Sequence, residues 1–212
     1  MRNPQSVAAL ETLGRVRLSQ HFFMRDFLYS EIANLHGMPN IPEDPDLAIT
    51  AGRRLCEELL EPLNATFGRL AIRSAYRSPT VNAFGNKNGH RCASNKVNYA
   101  KHIWDRRDDK GRMGATACIV IPWLADRIDA GLCGWQAMAW WIHDHLPYSH
   151  MEFFPKRAAF NLAWREQPER SIYSHAAPKG YLTRAAMPNH TGSHGAEYRG
   201  FPELAGSSGR AL

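Results

Sequence analysis

The stretch Ile72-Arg-Ser-Ala-Tyr-Arg-Ser-Pro-Thr-Val-Asn82 is the part of the sequence from which the fold prediction starts. With the two residues before it, its first half predicts a short strand. This strand leads into a turn at Arg77-Ser-Pro, because the residue before a proline avoids helical backbone angles. The elements on either side of this strand decide the fold class.

An amphipathic helix precedes the strand. It opens at Asp46 and carries an apolar residue at every fourth position, at Leu55, Leu59, Leu63 and Phe67. This spacing places the four side chains along one face. Pro62 predicts a kink or break, because a proline cannot donate the helical backbone hydrogen bond. Gly68 predicts the end of the helix.

A long loop, two further strands and a helix are predicted after this strand. A polar, irregular stretch over 82–113 predicts a long loop, which in a compact domain is usually functional or mobile. Ala117-Cys-Ile-Val-Ile predicts a buried strand, Trp135 to His145 a helix, and Tyr148 to Phe154 a strand with alternating faces. The pattern predicts an α+β fold in a single small domain, with helices packed on a short, mainly antiparallel sheet.

The two ends of the chain are expected to differ from this centre. Ser19 is expected to cap a short helix that carries Phe22, Phe23, Phe27 and Leu28 on one side. From residue 166 the sequence becomes rich in Pro, Gly, Ser and His. We therefore expect a domain over 1–165 and, over 166–212, an extended tail or wrapping arm with little core of its own.

Composition narrows the class of protein. The chain has 212 residues, of which 44% are hydrophobic and 22% charged, as in a globular protein. Its net charge of +6 favours an anionic partner such as cell-wall polymer, nucleic acid or acidic peptide. A nucleic-acid partner has no recognisable motif behind it and is given little weight.

Neither a membrane span nor a signal peptide is visible in the sequence. No apolar run approaches the ~18 residues of a membrane-spanning helix, and the N-terminus lacks the apolar core of a secretory signal. The chain is expected to be cytoplasmic as synthesised, with association with a virion as a further expectation. Its four cysteines, which form no CxxC pair, are then expected to be reduced.

The stretch over 72–82 and the sequence on either side of it resemble the M15 family of zinc peptidases, the D-Ala-D-Ala carboxypeptidase type. The similarity begins at Leu18-Ser-Gln-His-Phe, continues through Gly37-Met-Pro-Asn-Ile-Pro and Arg54-Leu-Cys-Glu-Glu-Leu-Leu-Glu-Pro-Leu, and is best over 72–82. It covers roughly residues 16–122 and, more loosely, the region to 165. The resemblance implies one zinc ion and hydrolysis of peptidoglycan stem peptides. Zinc hydrolysis needs three protein ligands, an open position for water and a carboxylate base.

The resemblance also implies a set of zinc ligands, from which this chain departs. His102 fits the first ligand. The second is either Cys118, which stands in the matching Gly-Ala-Thr-Ala context where the family has Asp, or Asp109, which fits the spacing. His150 fits the third ligand. Pro147 occupies the position of the catalytic carboxylate, and Glu152, on the same strand face as His150, is the candidate that replaces it. The alternative is that Glu152 is a structural partner of an arginine.

The substrate side of the predicted site consists of Tyr76, Arg77 and Ser78. An arginine fork holds a terminal carboxylate with two charge-assisted bonds, and the resemblance places Arg77 at the substrate-facing arginine. The alternative is that Arg77 only braces the turn before Pro79. Trp104, in the polar loop, is expected at the surface.

Two functions follow from these expectations. The first is a zinc peptidase that cleaves peptidoglycan stem peptides as a carboxypeptidase or endopeptidase, of a phage type. The second is a catalytically inactive module of the same fold that serves virion assembly or cell-wall binding. Pro147 and the altered ligand position favour the second.

Overall fold

The computed structural model describes residues 1–155 and 158–206. Within them the fold is α+β, as predicted. The helices are α1 (Val7–Gly14), α2 (Glu31–Leu35), α3 (Pro45–Leu55), α4 (Glu61–Phe67), α5 (Pro79–Lys87), α6 (Asn95–Asn98), α7 (Pro122–Asp129) and α8 (Trp135–His145). The strands are β1 (Ala71–Ser74), β2 (Gly114–Val120), β3 (His150–Phe153), β4 (Phe160–Arg165), β5 (Ser171–Ser174) and β6 (Gly180–Thr183).

The six strands form one sheet in the order β1-β2-β4-β3-β5-β6. All neighbours are antiparallel except β3 and β5, which are parallel. The sheet has one apolar and one polar face, because side chains alternate along each strand. The apolar face is buried in the core and includes Ala115, Ala117, Ile119, Met151, Phe153, Phe160, Leu162, Trp164 and Ile172.

The predicted long helix is divided where proline requires it. Asp44 caps α3, since its Oδ1 accepts a hydrogen bond from the Leu47 amide at 3.0 Å. A π-helical turn over Cys56–Leu60 separates α3 from α4. Pro62 cannot donate to the carbonyl four residues earlier and its ring crowds that carbonyl, so the wider turn just before it absorbs the mismatch. The helix ends before Gly68, which has a positive φ of 81°.

The prediction of a short helix capped by Ser19 near the N-terminus is wrong in part. Ser19 caps no helix; its hydroxyl donates to Glu61 Oε1 at 2.7 Å. The aromatic segment instead forms a short 3₁₀ turn over Met24–Phe27. Phe22 and Phe27 are buried and Phe23 is exposed, so the three rings do not share one buried face.

The sheet extends beyond residue 165, where we expected a tail. Strands β5 and β6 lie in this segment, and Ile172 is fully buried in the core. Only residues 184–206, here called the C-terminal strap, have the character of a wrapping arm. The Trp141 Nε1 donates to Pro202 O at 2.9 Å, and the Ala205 amide donates to Thr66 Oγ1 at 3.1 Å. Residues 207–212 of the expected tail lie outside the described residues.

Candidate functional site

The polar face of the sheet carries a row of paired residues that forms the floor of a cleft. In register from β1 to β5 the row consists of Ser74, Cys118, Asn161, Glu152 and Tyr173. Four of its members line the cleft, whose volume is about 1060 Å³: Ser74, Cys118, Asn161 and Glu152. Cross-strand pairing therefore brings together side chains that lie far apart along the chain.

His102 forms part of the cleft wall and is held there by the backbone. Its Nδ1–H donates to the Ala75 carbonyl at 2.7 Å, and the Arg77 amide donates to the His102 carbonyl at 2.8 Å. The segment carrying it passes directly over Gly114, where a Cβ atom would lie 2.2 Å from the Ala100 carbonyl oxygen. Glycine at 114 is thus what allows this close approach.

Burial, with a smaller contribution from the nearby Arg77 guanidinium, lowers the pKa of His102 to about 3. The imidazole is therefore neutral at physiological pH. With Nδ1 protonated and bound to a carbonyl, the lone pair lies on Nε2. Zinc-binding histidines are commonly oriented by such a bond, so His102 has the geometry of a ligand, a base or a hydrogen-bond acceptor.

Glu152 is fixed by two hydrogen bonds. Its Oε2 accepts from Asn161 Nδ2 at 2.9 Å, and its Oε1 accepts from His175 Nε2 at 2.8 Å. Asn161 is the cross-strand partner of Glu152, and His175 follows β5 directly. Both carboxylate oxygens are thus engaged by neighbouring side chains.

Cys118 lies beside Arg73. A β-bulge between Ile72 and Ser74 interrupts the pairing of β1 with β2, and bulges redirect side chains. Arg73 lies in this bulge and lines the cleft. Burial raises the pKa of the Cys118 thiol, and the Arg73 guanidinium offsets this only in part. The thiol is therefore protonated at neutral pH.

Of the predicted substrate residues, Tyr76 and Arg77 line the cleft. Burial and the neighbouring Asp105 carboxyl raise the pKa of Tyr76. Arg77 is half-buried, and its Nη1 donates to Cys92 Sγ at 2.6 Å. Ser78 instead caps α5 through a bond from the Val81 amide and does not line the cleft.

Two predicted metal ligands lie apart from the cleft. Asp109 is exposed in the turn before β2. His150 is on the polar face of the sheet, but its Nδ1 is hydrogen-bonded to Ser171 Oγ at 2.8 Å, and it does not line the cleft. Pro147 lies at a different, smaller pocket. Trp104, expected at the surface, is wholly buried, and its Nε1 donates to Thr116 O at 3.2 Å.

The zinc site implied by the resemblance requires at least three donor side chains around one point. Among residues 1–155 and 158–206, no three His, Cys, Asp or Glu side chains lie grouped so that they could hold a metal ion. His102 and Cys118 share the cleft, but the side chain beside Cys118 on β4 is the amide of Asn161. The side chains as arranged do not fit the predicted ligand set.

Several residues of the cleft were not predicted from the sequence: Arg73, Arg91, Cys92, Asn161 and His175. Strand alternation could have pointed to Asn161, since it is a polar residue between apolar Phe160 and Leu162. Nothing local in the sequence distinguishes His175.

Comparison with known proteins finds no relative of this chain. No family model matches it, and neither does any curated protein or solved structure. In the part of the chain that is described, no helix has the length and hydropathy needed to cross a bilayer.

Proposed function

We propose that the chain is a peptide-binding module whose cleft holds the terminal carboxylate of a short peptide, of the kind found in bacterial cell walls. The observation that carries this proposal is the cluster of guanidinium groups at one concave site. Arg73, Arg77 and Arg91 all line the cleft, and arginine is the side chain best suited to a carboxylate. A concave site with an excess of positive charge attracts anions.

The negative side chains of the cleft do not cancel this charge. The lining has two carboxylates, Glu31 and Glu152, against the three arginines, so an excess of positive charge remains. The neutral Nε2 of His102 accepts a hydrogen bond and suits an amide N–H of the same peptide. A ligand with a carboxylate at one end and backbone amides beyond it matches both features. The resemblance to peptidases that act on wall peptides supports the choice of ligand.

Binding without hydrolysis agrees best with the state of the candidate base. Bonds from Asn161 and His175 fix Glu152 in its present orientation. Turning the carboxylate toward a water elsewhere in the cleft costs at least one of them, and each hydrogen bond to a charged group contributes about 1.5–3 kcal/mol. The Cys118 thiol is protonated and adds no charge that would activate a nucleophile.

A zinc peptidase is the second candidate, and one observation favours it. His102 is neutral, tautomer-fixed and anchored through Nδ1 by a backbone carbonyl, as zinc ligands are. When bound, zinc would supply Lewis-acid chemistry at the cleft. A side-chain rearrangement would have to bring two further donors to His102.

Calorimetric titration with a stem peptide ending in D-Ala-D-Ala tests the first candidate. We expect binding that is weakened at least tenfold when the terminal carboxylate is amidated, and weakened similarly in Arg77→Gln. Arg2→Gln, at an exposed position near the N-terminus, serves as the matched control. Equal affinity for the free and amidated peptides would overturn the proposal.

The same samples decide the second candidate. Zinc bound at one ion per chain and lost in His102→Ala, together with release of D-alanine, would establish the peptidase. Intact peptide recovered after incubation with added zinc would leave the binding module.

A further inference from the structure

The floor of the cleft continues past Glu152 as a row of aromatic side chains. Tyr173 on β5 pairs with Glu152, and Tyr181 on β6 pairs with Tyr173. Paired residues of neighbouring strands project from the same face of a sheet. Both tyrosines therefore lie on the face that forms the cleft floor, and Tyr181 is 48% exposed.

These rings contact one another in a chain, and Tyr173 meets both of its neighbours edge to face, at interplanar angles of 74° and 76°. Tyr173 contacts Tyr181 and His175, each at a centroid distance of 5.1 Å. The His175 ring is nearly parallel to Phe154, with an interplanar angle of 5°. We call these four residues the aromatic shelf: Phe154, Tyr173, His175 and Tyr181. The Arg184 guanidinium lies over the Tyr181 ring, 4.6 Å from its centroid.

The shelf is continuous with the proposed peptide site. Phe154 and His175 line the cleft themselves, and His175 donates to Glu152. Strands of a sheet lie about 5 Å apart, so Tyr181 is about 10 Å beyond Glu152 along the row. A peptide with its carboxylate at the arginines of the cleft and its chain running over Glu152 would direct its amino end onto the shelf.

We propose that the aromatic shelf binds the sugar to which such a peptide is attached, an N-acetylhexosamine carrying the peptide on a lactyl group. This inference rests on the proposed function and adds the second half of the ligand. Tyrosine and histidine rings combine an apolar face with a polar edge, which suits a pyranose ring that has C–H groups on its faces and hydroxyls at its rim. Arg184 adds hydrogen-bond donors at the outer end.

The test compares two ligands of equal charge. One is the D-Ala-D-Ala stem peptide with its amino end acetylated, and the other is the same peptide joined to N-acetylmuramic acid. We expect the sugar-bearing ligand to bind about tenfold more tightly, as one or two aromatic contacts would give. Tyr181→Ser should remove this difference and leave the affinity for the acetylated peptide unchanged, which also shows that the variant is folded. Leu132→Ser, at another exposed apolar position, is the control.

Each outcome separates the two proposals. Equal affinity for both ligands overturns the shelf proposal and leaves the peptide site standing. If neither ligand binds, the proposed function fails and the shelf proposal with it. Bases stack on aromatic rings too. Tighter binding of a single-stranded oligonucleotide than of either ligand, lost in Tyr181→Ser, would therefore also overturn the shelf proposal.

Discussion

Asp144 on α8 is one of the anchors of the C-terminal strap, and the replacement Asp144→Ala should loosen the strap around His194. Asp144 accepts three hydrogen bonds from the strap: from the His194 amide at 2.7 Å, from His194 Nδ1 at 2.7 Å and from the Tyr198 hydroxyl at 2.9 Å. The His194 ring is stacked on Trp140 at a centroid distance of 3.9 Å. Elsewhere the strap keeps the bond from Trp141 to Pro202 and the packing of Tyr198 against the core, so the expected opening is local to His194.

The magnitude follows from those bonds. Hydrogen bonds to a charged group contribute about 1.5–3 kcal/mol each, but bonds to one acceptor are not additive. The side chains of Asp144 and His194 are each 11% exposed, so water replaces only part of what is lost. We expect the free energy of local opening to fall by about 3 kcal/mol, which corresponds to about a hundredfold faster exchange.

Hydrogen exchange at the His194 amide measures this directly, because that amide donates to the carboxylate. Asp126→Ala, which removes an exposed aspartate from α7, is the control and should leave exchange at 194 unchanged. Burial raises the pKa of Asp144, but the hydrogen bonds from His194 and Tyr198 together outweigh it, so the pKa is lowered overall. The stabilisation is therefore present above the unfolded pKa of about 3.9 and is lost as the pH falls through the lower folded value. Unchanged exchange at His194 in Asp144→Ala would refute this account of the strap.

Three further predictions concern the site and its supports. Gly114→Ala should destabilise the fold by about 2 kcal/mol or more, because the added Cβ would lie 2.2 Å from the Ala100 carbonyl oxygen. Urea unfolding measures this loss, and an unchanged midpoint would contradict the described path of the His102 segment. Cys133 should react first with a thiol reagent and Cys56 last, since Cys133 is half-buried and Cys56 fully buried; a fast phase that persists in Cys133→Ser would count against this order. Trp164→Phe should cost about 1 kcal/mol in the same unfolding assay, because Nε1 donates to Glu58 Oε2 at 2.8 Å; no loss would mean that the bond contributes nothing.

Much of the fold could be predicted because the spacing of apolar residues and the positions of prolines determine local backbone structure. The apolar residue at every fourth position predicted the helix that includes α3 and α4, and Pro62 predicted its interruption. The helix over Trp135–His145 was predicted with its bounds. The alternation in β3 placed His150 and Glu152 on one face, which the structure confirms. The strands β5 and β6 were missed, because short segments rich in Gly, Pro and Ser carry too little apolar alternation to predict pairing.

The candidate site was less predictable, because its composition depends on register between strands and not on any one strand. Alternation fixes which residues share a face, but only the pairing of Cys118 with Asn161 and of Asn161 with Glu152 decides which of them meet. His150 and Glu152 are two residues apart on one face, yet only Glu152 lies in the row that contains Cys118. A shift of two residues in the pairing of β3 with β4 would keep every side chain on its present face and bring His150 into that row instead. The chemistry of this cleft therefore depends on the register of β3 and β4, which a single sequence does not encode in any local pattern.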